Sequence, residues 1–343
     1  MRTFCFKDAK TLCNQERLAA KQTTFSEASN RTSVLECLHR NAAHVQSEPC
    51  KRHLTKRMSM AAGDIRYDMS MAVACYKEIR GVCKSVQPGG GRMQMCLESN
   101  KAQLSSKCAM KLQQRSQTQA TNWRYKHGVF SDCKQERKKF CSDVKEGGNR
   151  VSVCLQDHLN EASFSAECRS AVSRDEVKAT GDVRLLPEVH DQCKPDIQNL
   201  CPKVVPGRGR VLRCLKLKRS EIALPGCRAA ILRQMMRSTE NWKLDRPLAE
   251  KCMGDVVKLC QDVPPGRVHD CLRKHEDQLS ADCRQEEARL EAMEAEDIRL
   301  KPFVRRLCEG AIDKHCKNID PGEARVLTCL KEKAGEAGFP AQC

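Results

Sequence analysis

Twenty-four cysteines are the chemistry this 343-residue chain has most of, and they fall into six quartets. The quartets are Cys5, Cys13, Cys37, Cys50; Cys75, Cys83, Cys96, Cys108; and Cys133, Cys141, Cys154, Cys168. Then come Cys193, Cys201, Cys214, Cys227; Cys252, Cys260, Cys271, Cys283; and Cys308, Cys316, Cys329, Cys343. Seven residues separate first from second in every quartet. Twelve separate second from third in four quartets, ten in the fifth and 23 in the first. Each fourth cysteine is followed by 24 residues before the next first one, at all five junctions.

Cysteines can hold metal, exchange electrons or cross-link. Structural zinc sites want ligand pairs about two to four residues apart, and a redox site wants C-x-x-C; neither spacing occurs. The nine histidines do not recur at one position through the quartets. An even count at regular spacing points to structural disulfides. No metal or cofactor is expected. The chain has no Gly-x-Ser-x-Gly elbow, phosphate loop or His-Glu-x-x-His motif. No residue is assigned a catalytic role, and the chain is expected not to be an enzyme.

The elements that position the cysteines are helical. The residue after each third cysteine is leucine (Leu38, Leu97, Leu155, Leu215, Leu272, Leu330). Three residues before that cysteine stands Val34, Met93, Val151, Val211, Val268 or Val326. An apolar residue, a cysteine and a leucine at i, i+3 and i+4 form one helical face. In five quartets an arginine precedes that apolar residue, and Gly-Gly or Pro-Gly stands just upstream, as at Gly147–Gly148 and Pro206–Gly207. These break the preceding helix and turn the chain.

Ser47, Ser105, Ser165 and Ser280 each stand three residues before a fourth cysteine, as helix N-caps do. Eleven residues before the next first cysteine comes Asp64, Asn122, Asp182, Asn241 or Asp297, followed by Ile65, Trp123, Val183, Trp242 or Ile298. Both tryptophans thus fill one repeat position, as apolar plugs between neighbouring repeats rather than as a cofactor or sugar platform. Pro187, Pro247 and Pro302 follow in three repeats, placed to open a helix. Each repeat therefore reads as three helices: one carrying the first and second cysteines, one the third, and one running from the fourth to the junction. An invariant junction implies ordered structure across it, because a flexible linker tolerates length change.

The predicted architecture is all-α, a tandem array of six disulfide-stapled helical repeats of roughly 60 residues. The expected repeats are 1–51 (with an insertion), 52–109, 110–169, 170–228, 229–284 and 285–343. If the first two cysteines share a helix, they lie ~12 Å apart along its axis. That exceeds the ~7 Å Cα limit of a disulfide. A helical hairpin then favours nested pairing, second with third and first with fourth; first–third with second–fourth stays open. The sequon Asn30–Arg31–Thr32, inside the insertion of the first repeat, is a candidate glycosylation site in a loop.

Composition bounds the rest. Aromatic residues make up 4% of the chain and charged residues 31%, too little apolar surface for a large core. Cysteine-dense, core-poor chains are secreted or lumenal. The net charge of +17 suits a polyanion or a merely soluble surface. Its densest clusters are Lys134–Lys139, Arg208–Arg213 and Lys216–Arg219. No apolar run approaches the ~20 residues of a membrane span. Cys5 follows Met1 too closely for a signal peptide, so a piece of a longer lumenal protein is expected.

Quartets spaced C-x7-C-x12-C-L, the Pro-Gly…Arg-Val turn, the Leu-Ser-x-x-Cys cap and the junction Asp297–Pro302 resemble one known family. It is that of the cysteine-rich repeats of Golgi apparatus protein 1, also known as the cysteine-rich fibroblast growth factor receptor and E-selectin ligand. The resemblance covers essentially the whole chain and is weakest in the first repeat. It implies a Golgi type I membrane glycoprotein whose lumenal array binds growth factors and influences their trafficking. The expected function is a non-enzymatic binding and trafficking scaffold in the secretory-pathway lumen. Its expected partners are secretory proteins such as growth factors, with sulfated or acidic glycans on basic faces. No nucleic acid is expected, and membrane association only through segments absent here. The alternative is an intracellular, basic, cysteine-rich protein binding metal or nucleic acid.

Overall fold

A computed structural model describes residues 4–22, 27–336 and 338–343. Among these residues all regular secondary structure is helical. The chain divides into two compact units, Met1–Asp175 and Glu176–Cys343. The same local plan recurs in both.

In the first unit, the second quartet shows that plan. Cys75 lies between the short helices Met69–Ala74 and Tyr76–Arg80, and Cys83 follows the latter. A glycine-rich turn leads into Arg92–Ser99, which carries Cys96. Ser105 then caps the helix Ser106–Ala120, its hydroxyl accepting from Cys108 N–H. That helix ends at Asn122, whose side chain accepts from Arg124 N–H and opens the 3-10 turn Trp123–Tyr125. The same Asx turn forms at Asp64, Asp182, Asn241 and Asp297. A helix plus this turn fills each spacer from a fourth to a first cysteine, which is ordered structure of fixed length.

The expected single helix through the first and second cysteines is corrected by the structure. In the second, third, fourth and sixth quartets it breaks at the first cysteine, whose φ of −97 to −108° and ψ of 3 to 21° leave the helical region. Backbone bonding continues through the bend, with Cys75 N–H on Met71 O and Ile79 N–H on Cys75 O, both 2.9 Å. The bend therefore turns the cysteine aside at little cost in hydrogen bonds. In the second unit, only the fifth quartet keeps one helix, Arg246–Leu259. The described residues of the first quartet's insertion are likewise helical rather than loop: Asn14–Gln22 and Glu27–Arg40 are helices.

The core is a series of small clusters around the disulfides. Leu38, Leu97, Leu155, Leu215 and Leu272 are fully buried, together with the valine or methionine that precedes each. Trp123 is buried with Val129, Cys133, Val151 and Leu155, its ring centroid 5.2 Å from that of Phe130. Trp242 takes the same place beside Leu248, Cys252 and Leu272. Both indoles are core plugs.

One backbone contact ties each turn to the helix before it. Gly91, Asn149, Gly209 and Ala324 all hold a left-handed conformation at the N-cap of the third-cysteine helix. Their N–H groups donate to Gly63, Thr121, Gly181 and Glu296, each just before the Asx turn, at 2.7–3.0 Å. The fifth quartet, two residues shorter here, replaces this device with the 3-10 turn Pro265–Arg267. A Cβ at Gly209 would lie 2.9 Å from Arg246 Cβ and 3.2 Å from Pro247 Cδ.

Two substitutions test this device by chemical denaturation. Ala324→Gly relieves a left-handed alanine and is expected to stabilise by about 1 kcal/mol. Gly209→Val combines positive φ with a clash and is expected to cost more than about 2 kcal/mol.

Candidate functional site

The structure places every predicted cysteine in one repeated frame. Cys5–Cys50, Cys75–Cys108, Cys133–Cys168, Cys193–Cys227, Cys252–Cys283 and Cys308–Cys343 are joined, with Cα atoms 4.6–4.9 Å apart. Cys13–Cys37, Cys83–Cys96, Cys141–Cys154, Cys201–Cys214, Cys260–Cys271 and Cys316–Cys329 are joined at 5.8–6.2 Å. No free cysteine remains. The one metal-like grouping among the described residues, Cys13, Glu16 and Cys37, has both sulfurs in a disulfide and offers no thiolate.

A carboxylate that sequence reading missed completes five of the six frames. Three residues after the first cysteine stands Asp8, Glu78, Glu136, Asp196 or Asp255, and Ala311 in the sixth quartet. Asp8 accepts from Gln46 N–H at 2.8 Å, Glu78 from Ser105 N–H at 2.9 Å, and Glu136 from Ser165 N–H at 3.1 Å. Asp196 accepts from Ala223 N–H at 3.0 Å, and Asp255 from Ser280 N–H at 3.3 Å. Each carboxylate secures the segment entering the fourth-cysteine helix, beside the first–fourth disulfide. The bonds to Ser105 hold the Glu78 carboxyl below its ordinary value. At Glu136 burial pushes the carboxyl up, but the bonds to Ser165 outweigh it and the net shift is down. The signal was an acid at one quartet position in five of six.

The arginines of the basic clusters are bonded to carbonyls or carboxylates, while Lys216 is buried and Lys134, Lys138 and Lys139 are exposed. Arg92, Arg150, Arg210 and Arg325 donate to carbonyls of their own turns at 2.8–3.4 Å, so this recurrent arginine is a turn clasp. Arg208 pairs with Glu250 at 2.8 Å and Arg213 with Glu286 at 2.5 Å. Arg137 donates to Val144 O at 2.9 Å, and Arg219 pairs with Glu296.

Buried charges also cross the frame. The residue seven before a first cysteine meets the one seven after the fourth, with its sign reversed between copies: Asp68 with Arg115, and Lys126 with Asp175 at 2.7 Å. In the second unit Asp245 lies 3.4 Å from Lys216 and 3.0 Å from Arg289. Burial pushes the Asp245 carboxyl up, yet Lys216 and Arg289 outweigh this and hold it well below the carboxylate range.

Asn30, the sequon residue, lies on the helix Glu27–Arg40 rather than in the expected loop, and its side chain is outside the described residues. Helix-forming residues such as Glu27, Ala28 and Leu35 give the insertion its helix.

This geometry defines a class: an all-helical repeat protein held by paired disulfides, with ion pairs and caps between them. The chain belongs to the cysteine rich repeat family, whose description matches residues 48–105, 106–163, 166–222, 225–280 and 281–338. Five copies are matched where six were expected; the first quartet, with its 23-residue interval, falls outside them. The chain is 27% identical over 303 residues to Golgi apparatus protein 1 of Cricetulus griseus and 26% to that of Homo sapiens, covering 84% of this chain. It is 27% identical over 301 residues to the Golgi apparatus protein 1 homolog of Caenorhabditis elegans, covering 79% of this chain. The chain spans 26% of the length of each of these relatives. No solved structure matches it.

Each matched copy begins just before a fourth cysteine and ends before the next. Second–third links are therefore internal to a copy, and first–fourth links join one copy to its successor.

Asp245→Asn leaves Lys216 buried without a counter-charge and Arg289 with Glu286 alone, at an expected cost on the order of 3 kcal/mol at pH 7. Because the folded carboxyl is depressed, its contribution is present above the ordinary aspartate value of 3.8 and is lost as pH falls through the folded value. Urea titrations from pH 7 to pH 2 should show wild type and variant converging only in the acid range.

Proposed function

We propose that this chain is part of a non-enzymatic binding and trafficking scaffold in the Golgi lumen. The observation that carries the reading is the tandem match to the cysteine rich repeat, shared over most of the chain with Golgi apparatus protein 1 of several animals. Twelve disulfides support an oxidising compartment, since cytosolic thiols stay reduced. They also leave no thiolate for the metal-binding alternative. Residues 4–47 are proposed as a diverged sixth copy. The same pairing at Cys13–Cys37, the buried Val34 and Leu38, and the Asp8 contact to Gln46 N–H support this.

Growth factors are the proposed partners, on the family resemblance. Acidic glycans have weaker support, because Arg137, Arg208, Arg210, Arg213 and Arg219 of the densest basic clusters are bonded to carbonyls or carboxylates, although Lys134, Lys138 and Lys139 stay exposed. Asn30 is proposed to carry a glycan. No helix among the described residues is long and apolar enough to cross a membrane, so membrane attachment is proposed through other segments.

Antibodies against this chain should stain a Golgi compartment in its native cells, and glycosidase treatment should shift the mobility of wild type but not of Asn30→Gln. Cytosolic or nuclear staining would contradict the reading. Immobilised oxidised chain should capture growth factors from a purified panel and lose them after reduction. Failure of the whole panel would remove the partner proposal while leaving the location intact.

A further inference from the structure

Within the first unit, helices Glu27–Arg40, Glu48–Gly63 and Ser106–Ala120 and the turn around Asp68 enclose a cleft of about 290 Å³. That is at the lower edge of the ~300–1,000 Å³ typical of small-molecule sites. Its apolar surface comes from Leu35, Met58 and Ala61, with Tyr67 and Met69 half exposed at the mouth. Its charges are unbalanced: Arg40, Arg57, Lys111 and Arg115 face two carboxylates, Glu36 and Asp68.

Three of the four cations have partners. Lys111 bonds Glu36 at 2.8 Å, Arg115 pairs with Asp68, and Arg40 reaches Glu16 at 2.9 Å. Arg57 has no ion-pair partner among the described residues, although it is only partly exposed. His39 in the same wall adds neither sign, because burial, with Arg115 nearby, lowers it to about 4. A cationic ligand would be repelled here, and a neutral one would desolvate Arg57 without compensation.

We propose that this cleft binds an organic anion, one carboxylate-like group on Arg57 with an apolar body against Met58, Tyr67 and Met69. The anion can come from a free organic acid or from the end of a polypeptide. The two sources share that chemistry and are separated by experiment.

The test uses the full oxidised chain and calorimetry. N-acetyl-phenylalanine is compared with its amide, and a hexapeptide ending in phenylalanine is compared with its C-terminally amidated form. At least one acid is expected to bind about tenfold or more tighter than its amide, the size of one charge-assisted hydrogen bond. Arg57→Gln should abolish that preference, and Lys134→Gln, on another helix, should leave it intact. Tyr67→Ser should weaken acid and amide alike. Tighter binding of the free acid assigns a small-molecule ligand, and tighter binding of the peptide a polypeptide end. Equal affinity of acid and amide, an acid preference that survives Arg57→Gln, or no binding of either acid at millimolar concentration would overturn the proposal.

Discussion

The link from first to fourth cysteine is the constraint on which the rest of this structure depends. It spans 31 to 45 residues, so in the chain-entropy picture each one stabilises by about 3–4 kcal/mol through restriction of the unfolded chain. The apolar clusters are too small to replace that contribution, being built of four or five buried small or aliphatic side chains and the cysteines themselves. The carboxylate three residues after the first cysteine, in five quartets, and the serine cap before the fourth, in four, secure the segments that the link joins, with Cα atoms less than 5 Å apart.

In the family's own frame that same link joins consecutive copies. A copy taken alone therefore keeps one of the three links it takes part in, and its neighbours supply the missing cysteines. In four quartets the left-handed residue at the turn adds a hydrogen bond from one copy's turn to the helix preceding its Asx junction. Together these ties explain why the 24-residue spacer does not vary: one residue more or fewer would rotate the next frame by about 100° about the helix axis.

Much of this was legible in the sequence. The apolar face around the third cysteine, the serine caps, the Asx junctions and the helix-opening prolines all reappear where local rules place them, because each acts within four residues. The break at the first cysteine was hidden, since Met69–Arg80 has no glycine or proline to announce it. The acids at Asp8, Glu78 and Glu136 carry no local mark of burial, because an acid on a helix is ordinarily exposed. Their burial depends on N–H groups some 30 residues away, which no local pattern shows. The basic clusters misled in the same manner: Arg213 finds Glu286 only through the fold. A net charge of +17 already subtracts the acids, so internal pairing leaves that excess on other cations. Within the cleft of the first unit, the cation with no ion-pair partner among the described residues is Arg57, which composition did not single out.

Mass spectrometry of the chain purified from its native compartment, digested without reduction, tests the covalent frame most directly. The frame described here requires twelve links, each joining first to fourth or second to third cysteine within a quartet, with no free thiol. Peptides linking first to third and second to fourth, links between quartets, or a population of free thiols would contradict it.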